Sequence, residues 1–179
     1  MSKPDDKKLI ARCIKGDRQA FGALLIQYEK PVFNAAYRML NNKEDATDVT
    51  QTVFLKVYEN FASFDPSCRF FSWVYRITLN ESINWLGKRN RLEPLLHETA
   101  DDADGPEQAV ESAKLSADVQ AALMTLSTDY RTVIILKHFL GCSYMEISDV
   151  LEIPEKTVRS RLYSARQLLK DALIEAGTH

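Results

Sequence analysis

The stretch SYMEISDVLEIPEKTVRSRLYSARQLLK, Ser143 to Lys170, decides the fold. It reads as a short helix, a tight turn and a long second helix. Ser143 is placed to cap the first helix, and Glu146, three residues on, completes a capping box. Ile147, Val150 and Leu151 form one apolar face at helical spacing. Ile153 and Pro154 break the run, because proline is tolerated only where a new helix begins. The second helix is expected from about Glu155 to Leu173, with Val158, Leu162, Ala165 and Leu169 as its buried stripe. Opposite lie Lys156, Ser160, Tyr163 and Gln167. Arg159, Arg166 and Lys170 lie on one flank, Thr157 and Ser164 on the other. From Lys156 to Lys170 there are five Lys or Arg and no acid. Such a unit lays its second helix in a DNA groove. Arginine binds phosphate or pairs bidentately with guanine, and Ser and Tyr reach phosphates or base edges. An ordinary amphipathic helix with a solvated basic face accounts for the charges. It does not account for the capped short helix, the Ile-Pro turn and the absence of acids together, so DNA binding is favoured.

Working outward, the 179 residues carry a formal net charge of −2. A DNA-binding role must therefore rest on local patches. The second helix is one; Lys88, Arg89 and Arg91 make another. The 45% apolar content is normal for globular protein. Cys13, Cys68 and Cys142 show no metal-ligand spacing and His97, His138 and His179 do not complete one, so neither metal nor cofactor is expected. Three free thiols in a reducing cytosol is the preferred reading. No apolar run approaches the ~20 residues that span a bilayer, and the polar N-terminus shows no signal peptide. A cytoplasmic protein without membrane insertion is expected.

The rest reads as helix, giving an all-α fold class of two small helical domains joined by a flexible acidic linker. The domains are expected at 1–92 and 117–179. Leu9, Ile10 and Ile14 mark a first short helix ended by Gly16. Asp17 caps the next, which Pro31 should kink or restart. Asn41 and Asn42 mark a turn. A third helix runs from about Lys43 to Phe61, Ser63 to Arg69 is a loop, and a fourth helix runs from about Phe71 to Lys88. Residues 93–116 hold seven acids, one lysine and no aromatic. That composition buries too little apolar surface to order itself. Helical periodicity resumes near Ala117 and continues through two helices to the helix-turn-helix.

A second surface stands out on the third helix. Asp45, Asp48, Thr52 and Glu59 line one side, with Gln51 and Leu55 beside them. The helix dipole explains acids near the N-terminus but not a leucine projecting from the same side, which hints at a protein-binding face. Downstream, aromatic rings from Phe61 to Trp85 are interleaved with Arg69, Arg76, Lys88 and Arg89. That mixture suits single-stranded nucleic acid, where bases stack on rings and phosphates meet cations. Trp73, Phe61 and Phe71 are expected in the core. Phe64, on the loop, is divided evenly between core and base stacking, and Asn80 between reading a base edge and facing solvent.

Three segments, DATDVTQTVFLKVYENF, FFSWVYRITLNESINWLGKRNR and the long run from Leu126 to Lys170, in this order and spacing, resemble the bacterial extracytoplasmic-function sigma factors of the sigma-70 family. The resemblance covers nearly the whole chain. It implies a promoter-specificity subunit of RNA polymerase with no catalysis of its own. Asp45, Asp48, Gln51, Thr52 and Leu55 would meet the clamp helices of the polymerase β′ subunit, and the C-terminal domain the β flap. Phe64, Arg69, Arg76, Asn80, Lys88 and Arg89 would recognise and melt the minus-ten element, with a base flipped into a pocket at Phe64 and Asn80. Lys156, Thr157, Arg159, Ser160, Tyr163, Ser164 and Arg166 would read the minus-thirty-five element. The acidic linker is similar to segments that thread the polymerase, and an anti-sigma factor is a common partner.

Family members often carry Glu where this chain has Thr52 and Asp where it has Asn84. Drift at a tolerant position is the simpler account. Phosphorylation of Thr52 by a Ser/Thr kinase would restore the charge, with Thr47 and Thr50 as neighbouring alternatives. The rival function is a free-standing helix-turn-helix regulator, which usually dimerises on half-sites. This chain shows no dimer seam, and its N-terminal half would be unexplained. An enzyme is disfavoured, since no Ser/His/Asp set or phosphate-binding glycine loop is present.

Overall fold

The computed structural model describes residues 6–92, 117–175 and 177; the acidic segment 93–116 lies outside the described residues. Everything regular among the described residues is helical. Helix α1 (Asp6–Ile14) ends at Gly16, whose φ of 83° suits a residue without a Cβ. Asp17 then caps α2 (Arg18–Leu40), its Oδ1 accepting from the amides of Gln19 and Ala20 at 2.9 and 3.1 Å. These bonds and the Arg12 guanidinium hold the Asp17 carboxyl below its ordinary pKa.

Of the kink or restart expected at Pro31, the restart is corrected: α2 runs through it as one helix. The proline costs about 3 kcal/mol in a helix interior. Val32, Ala35, Ala36, Met39 and Leu40, just beyond it, are all but fully buried. Burial at about 1.5–3 kcal/mol per large apolar side chain outweighs that cost. Asn41, in the left-handed region with φ 54°, donates its amide to Tyr37 O. Asn42 Oδ1 caps α3 (Lys43–Glu59) by accepting from the Asp45 amide at 3.0 Å. A 3₁₀ turn (Phe61–Ser63) leads to α4 (Phe70–Leu92). Helices α2, α3 and α4 pack pairwise around Leu24, Val32, Val53, Val57, Val74 and Leu79.

The C-terminal module begins with α5 (117–125) and α6 (Thr128–Ile134). A π-helical turn (Ile135–Phe139) continues α6. Helix α7 (Tyr144–Leu151) starts with the expected capping box: the Glu146 amide donates to Ser143 Oγ at 3.1 Å, and the Ser143 amide to Glu146 Oε2 at 2.8 Å. Its exit is made by Glu152, in the left-handed region with φ 54°, while Pro154 O accepts the first amides of α8 (Glu155–Glu175). Ile147, Val150, Val158, Leu162 and Ala165 close the core, and Leu169 is half-buried.

The two modules touch. Arg131 of α6 is 6% exposed. Its guanidinium donates to Leu123 O, Met124 O and Leu126 O within its own module and to Met39 O, at 2.7 Å, in the other. Gln120 of α5 donates to Tyr37 O and Arg38 O and accepts from Arg38 Nη1 at 3.0 Å. The carbonyls of Arg38 and Met39, orphaned by the end of α2, thus find donors on α5 and α6.

Candidate nucleic-acid interface

Helix α8 turns its apolar stripe inward and leaves a continuous polar face. Lys156, Arg159, Ser160, Tyr163 and Arg166 are exposed on it, Tyr163 at 69%. Thr157 and Ser164 are half-buried at its edges. Arg161 points elsewhere and pairs with Asp129 at 2.6 Å. Arg159 lies 3.6 Å from Glu155, one turn back, with its guanidinium over the Tyr144 ring. Arg166 Nε donates to His138 Nε2 at 3.2 Å. Partial desolvation first, then the nearby Arg166 and Lys137 charges, lower the His138 pKa below its usual 6.5. The sequence reading missed Tyr144, Lys137 and His138; no local signal shows that the π-helical turn and the start of α7 bring them against the basic face.

The residues expected at the minus-ten element divide. The expectation that Phe64 stacks on a base is corrected: the ring is 6% exposed. It lies 4.9 Å from Trp73 and about 6 Å from Phe61 and Phe70, centroid to centroid. Burying an aromatic ring among others is worth more than leaving it on a wet loop. Asn80 and Lys88 are exposed along α4. Arg89 is half-buried and 3.6 Å from Asp45. Arg69 and Arg76 turn toward α7. Arg69 meets Glu146 at 3.1 Å. Arg76 meets Glu152 at 2.7 Å and also donates to the carbonyls of Asp149 and Val150.

On α3, Asp48, Gln51 and Leu55 are exposed on one side, Leu55 at 61%. Asp45 and Thr52 are half-buried, and the Thr52 hydroxyl donates to Asp48 O at 2.9 Å. Tyr58, three residues beyond Leu55 and 51% exposed, extends the apolar part of this patch. Thr50 is buried with its hydroxyl on Ala46 O and is out of reach of a kinase, whereas Thr47 is exposed. Among the described residues no group of His, Cys, Asp and Glu could hold a metal ion, and no helix is long and apolar enough to cross a membrane.

Residues 24–92 match the family described as Sigma-70 region 2, and residues 116–169 match Sigma-70, region 4. The RNA polymerase sigma-H factor of Pseudomonas aeruginosa is 32% identical, covering 97% of this chain and 96% of its own. The ECF RNA polymerase sigma factor SigW of Bacillus subtilis is 36% identical, covering 93% and 96%. The chain belongs to the extracytoplasmic-function sigma factors. This sigma factor is therefore an alternative promoter-specificity factor that works with core RNA polymerase and promoter DNA. The free-standing regulator is set aside, because region 2 claims the half that reading left unexplained. Among solved structures, CnrH in complex with the cytosolic domain of CnrY is similar with a TM-score of 0.73 and 29% identity, covering 96% of this chain and 97% of that one. The sigma factor RpoE in complex with the anti-sigma factor NepR from Bartonella quintana is similar with a TM-score of 0.72 and 27% identity, covering 86% and 96%.

Proposed function

We propose that this sigma factor divides its work between the module of residues 1–92, which grips polymerase and opens the minus-ten element, and that of residues 117–179, which anchors on the minus-thirty-five element. Residues 93–116 would connect them. The exposed face of Lys156, Arg159, Ser160, Tyr163 and Arg166, set opposite a fully apolar stripe, carries this reading. Cations and hydroxyls at this spacing meet phosphates and base edges along one groove. Asn80, Lys88 and Arg89 would serve the minus-ten strand, joined by Arg69 and Arg76 once α7 releases them. Asp45, Asp48, Gln51, Thr52 and Leu55, with Tyr58, would meet the β′ clamp helices, and the C-terminal module the β flap. The protein would act without catalysis of its own, in the cytoplasm. An anti-sigma factor would be its regulator, as the RpoE–NepR pair is described. Run-off transcription with purified core polymerase on a genomic fragment library tests the reading. New, discrete start sites that require the factor support it; none above core alone refutes it.

Thr52 is the proposed site of a Ser/Thr kinase. Its hydroxyl is tied to the helix backbone but half accessible. Thr52→Glu should bind core polymerase more tightly than Thr52→Ala, by about twofold to fivefold for one surface charge. Equal binding removes the idea.

A further inference from the structure

Tyr144, the first residue of α7, is half-buried against the core. Its ring collects two cations. The Arg159 guanidinium carbon lies 5.2 Å from the ring centroid and Lys137 Nζ lies 5.0 Å from it. Both are inside the ~6 Å reach of a cation–π interaction. Lys137 is itself tied down, donating to Cys142 O at 3.1 Å. Arg159 is thus approached from two elements: from α8 by Glu155 and from the start of α7 by an aromatic face.

We propose that Tyr144 is a positioning residue for reading the upstream promoter element, holding the Arg159 guanidinium in the orientation that meets DNA. The proposal rests on the assignment of Arg159 to the minus-thirty-five face. The two tethers of Arg159 are not equivalent. A glutamate holds an arginine by neutralising it, and its carboxylate repels an approaching phosphate. An exposed pair one turn apart is also weak and screened by salt. A ring face attracts the cation through its quadrupole and leaves the net charge and N–H donors of the guanidinium available. Arginine loses several side-chain torsions when it binds; restraining them beforehand lowers that cost, which is preorganisation.

The competing role for Tyr144 is plain packing of α7 against the module's core. A double-mutant cycle separates the two. Wild type, Tyr144→Phe, Tyr144→Leu, Arg159→Ala and the Tyr144→Leu/Arg159→Ala pair are compared as holoenzymes. The probe is a promoter fragment recovered by run-off from the genomic library, with each minus-thirty-five base pair substituted in turn. Tyr144→Phe keeps the ring and should bind within twofold of wild type. Tyr144→Leu should weaken binding about threefold to fivefold and flatten discrimination at the base pairs that Arg159→Ala also flattens. In the Arg159→Ala background, Tyr144→Leu should add nothing. Equal losses in both backgrounds, or no loss in the wild-type background, overturns the proposal. If Arg159→Ala changes neither affinity nor discrimination, the assignment of Arg159 is what fails. Should Tyr144→Leu not fold, fluorinated phenylalanines at position 144 keep the shape while draining the ring face. Affinity should then fall stepwise with each fluorine, and constant affinity overturns the proposal.

Discussion

His138 accepts a hydrogen bond from Arg166 Nε, so its Nε2 carries no proton in the folded chain. Its pKa is depressed by partial desolvation and by the Arg166 and Lys137 charges. The unfolded chain therefore takes up this proton first as pH falls. The stabilising contribution is complete above about pH 6.5 and is lost as pH drops below that through the depressed folded value. The unfolding midpoint of the wild type should fall more between pH 7.5 and 5.5 than that of His138→Gln, by a small margin because the side chain is exposed. Parallel pH profiles for the two proteins contradict the assignment. Phe64 teaches the opposite lesson about single residues. Its sequence neighbours, Ser63 and Asp65, mark a wet loop, and only Phe61, Phe70 and Trp73 closing around it make it core. That closure is tertiary and has no local signature.

At the scale of elements, the helix-turn-helix is legible because its signals are local: a capping serine, its glutamate partner and an apolar stripe within one turn of each other. Ser143→Ala removes the side-chain acceptor for the Glu146 amide. It should cost about 1 kcal/mol of stability, seen in denaturant unfolding, and Ser143→Asp should recover most of it. An alanine variant as stable as wild type would show that the cap is idle. Pro31 was misleading for the same reason that the capping box was reliable. A proline predicts a break from local geometry, and the buried run from Val32 to Leu40 overrides it. The outer face of α3 is legible in type but not in extent, since Tyr58 joins Leu55 only when both prove exposed. Asp48→Ala combined with Leu55→Ala should weaken core-polymerase binding tenfold or more, roughly 1.4 kcal/mol and above for an exposed apolar anchor with a charged neighbour, while leaving duplex binding by the C-terminal module unchanged. Retained polymerase affinity in a pull-down would remove this surface from the account.

For the whole molecule, contacts between the modules were invisible in the sequence because their partners lie far apart along the chain. Arg131 meets Met39, and Arg76 meets Glu152. Arg131→Met removes the side-chain donor from four carbonyls, three of them in buried bonds, and should cost about 2–4 kcal/mol. Lysine should not restore it, having no planar fork to span four acceptors. Denaturation midpoints for the two variants check this; a stable methionine variant would show the clamp to be dispensable. The same closed arrangement holds Arg69 and Arg76 on α7 while the α8 face stays exposed, so the modules must part before these two arginines could serve the proposed minus-ten contact. The division of labour is tested most directly by permanganate footprinting of the holoenzyme on its selected promoter, with wild type and Arg159→Ala compared. The account predicts reactive thymines confined to the minus-ten region, dependent on the factor, and reduced in Arg159→Ala at limiting holoenzyme but restored at saturation. Strand opening that is identical with core polymerase alone, or that Arg159→Ala abolishes even at saturation, would contradict it.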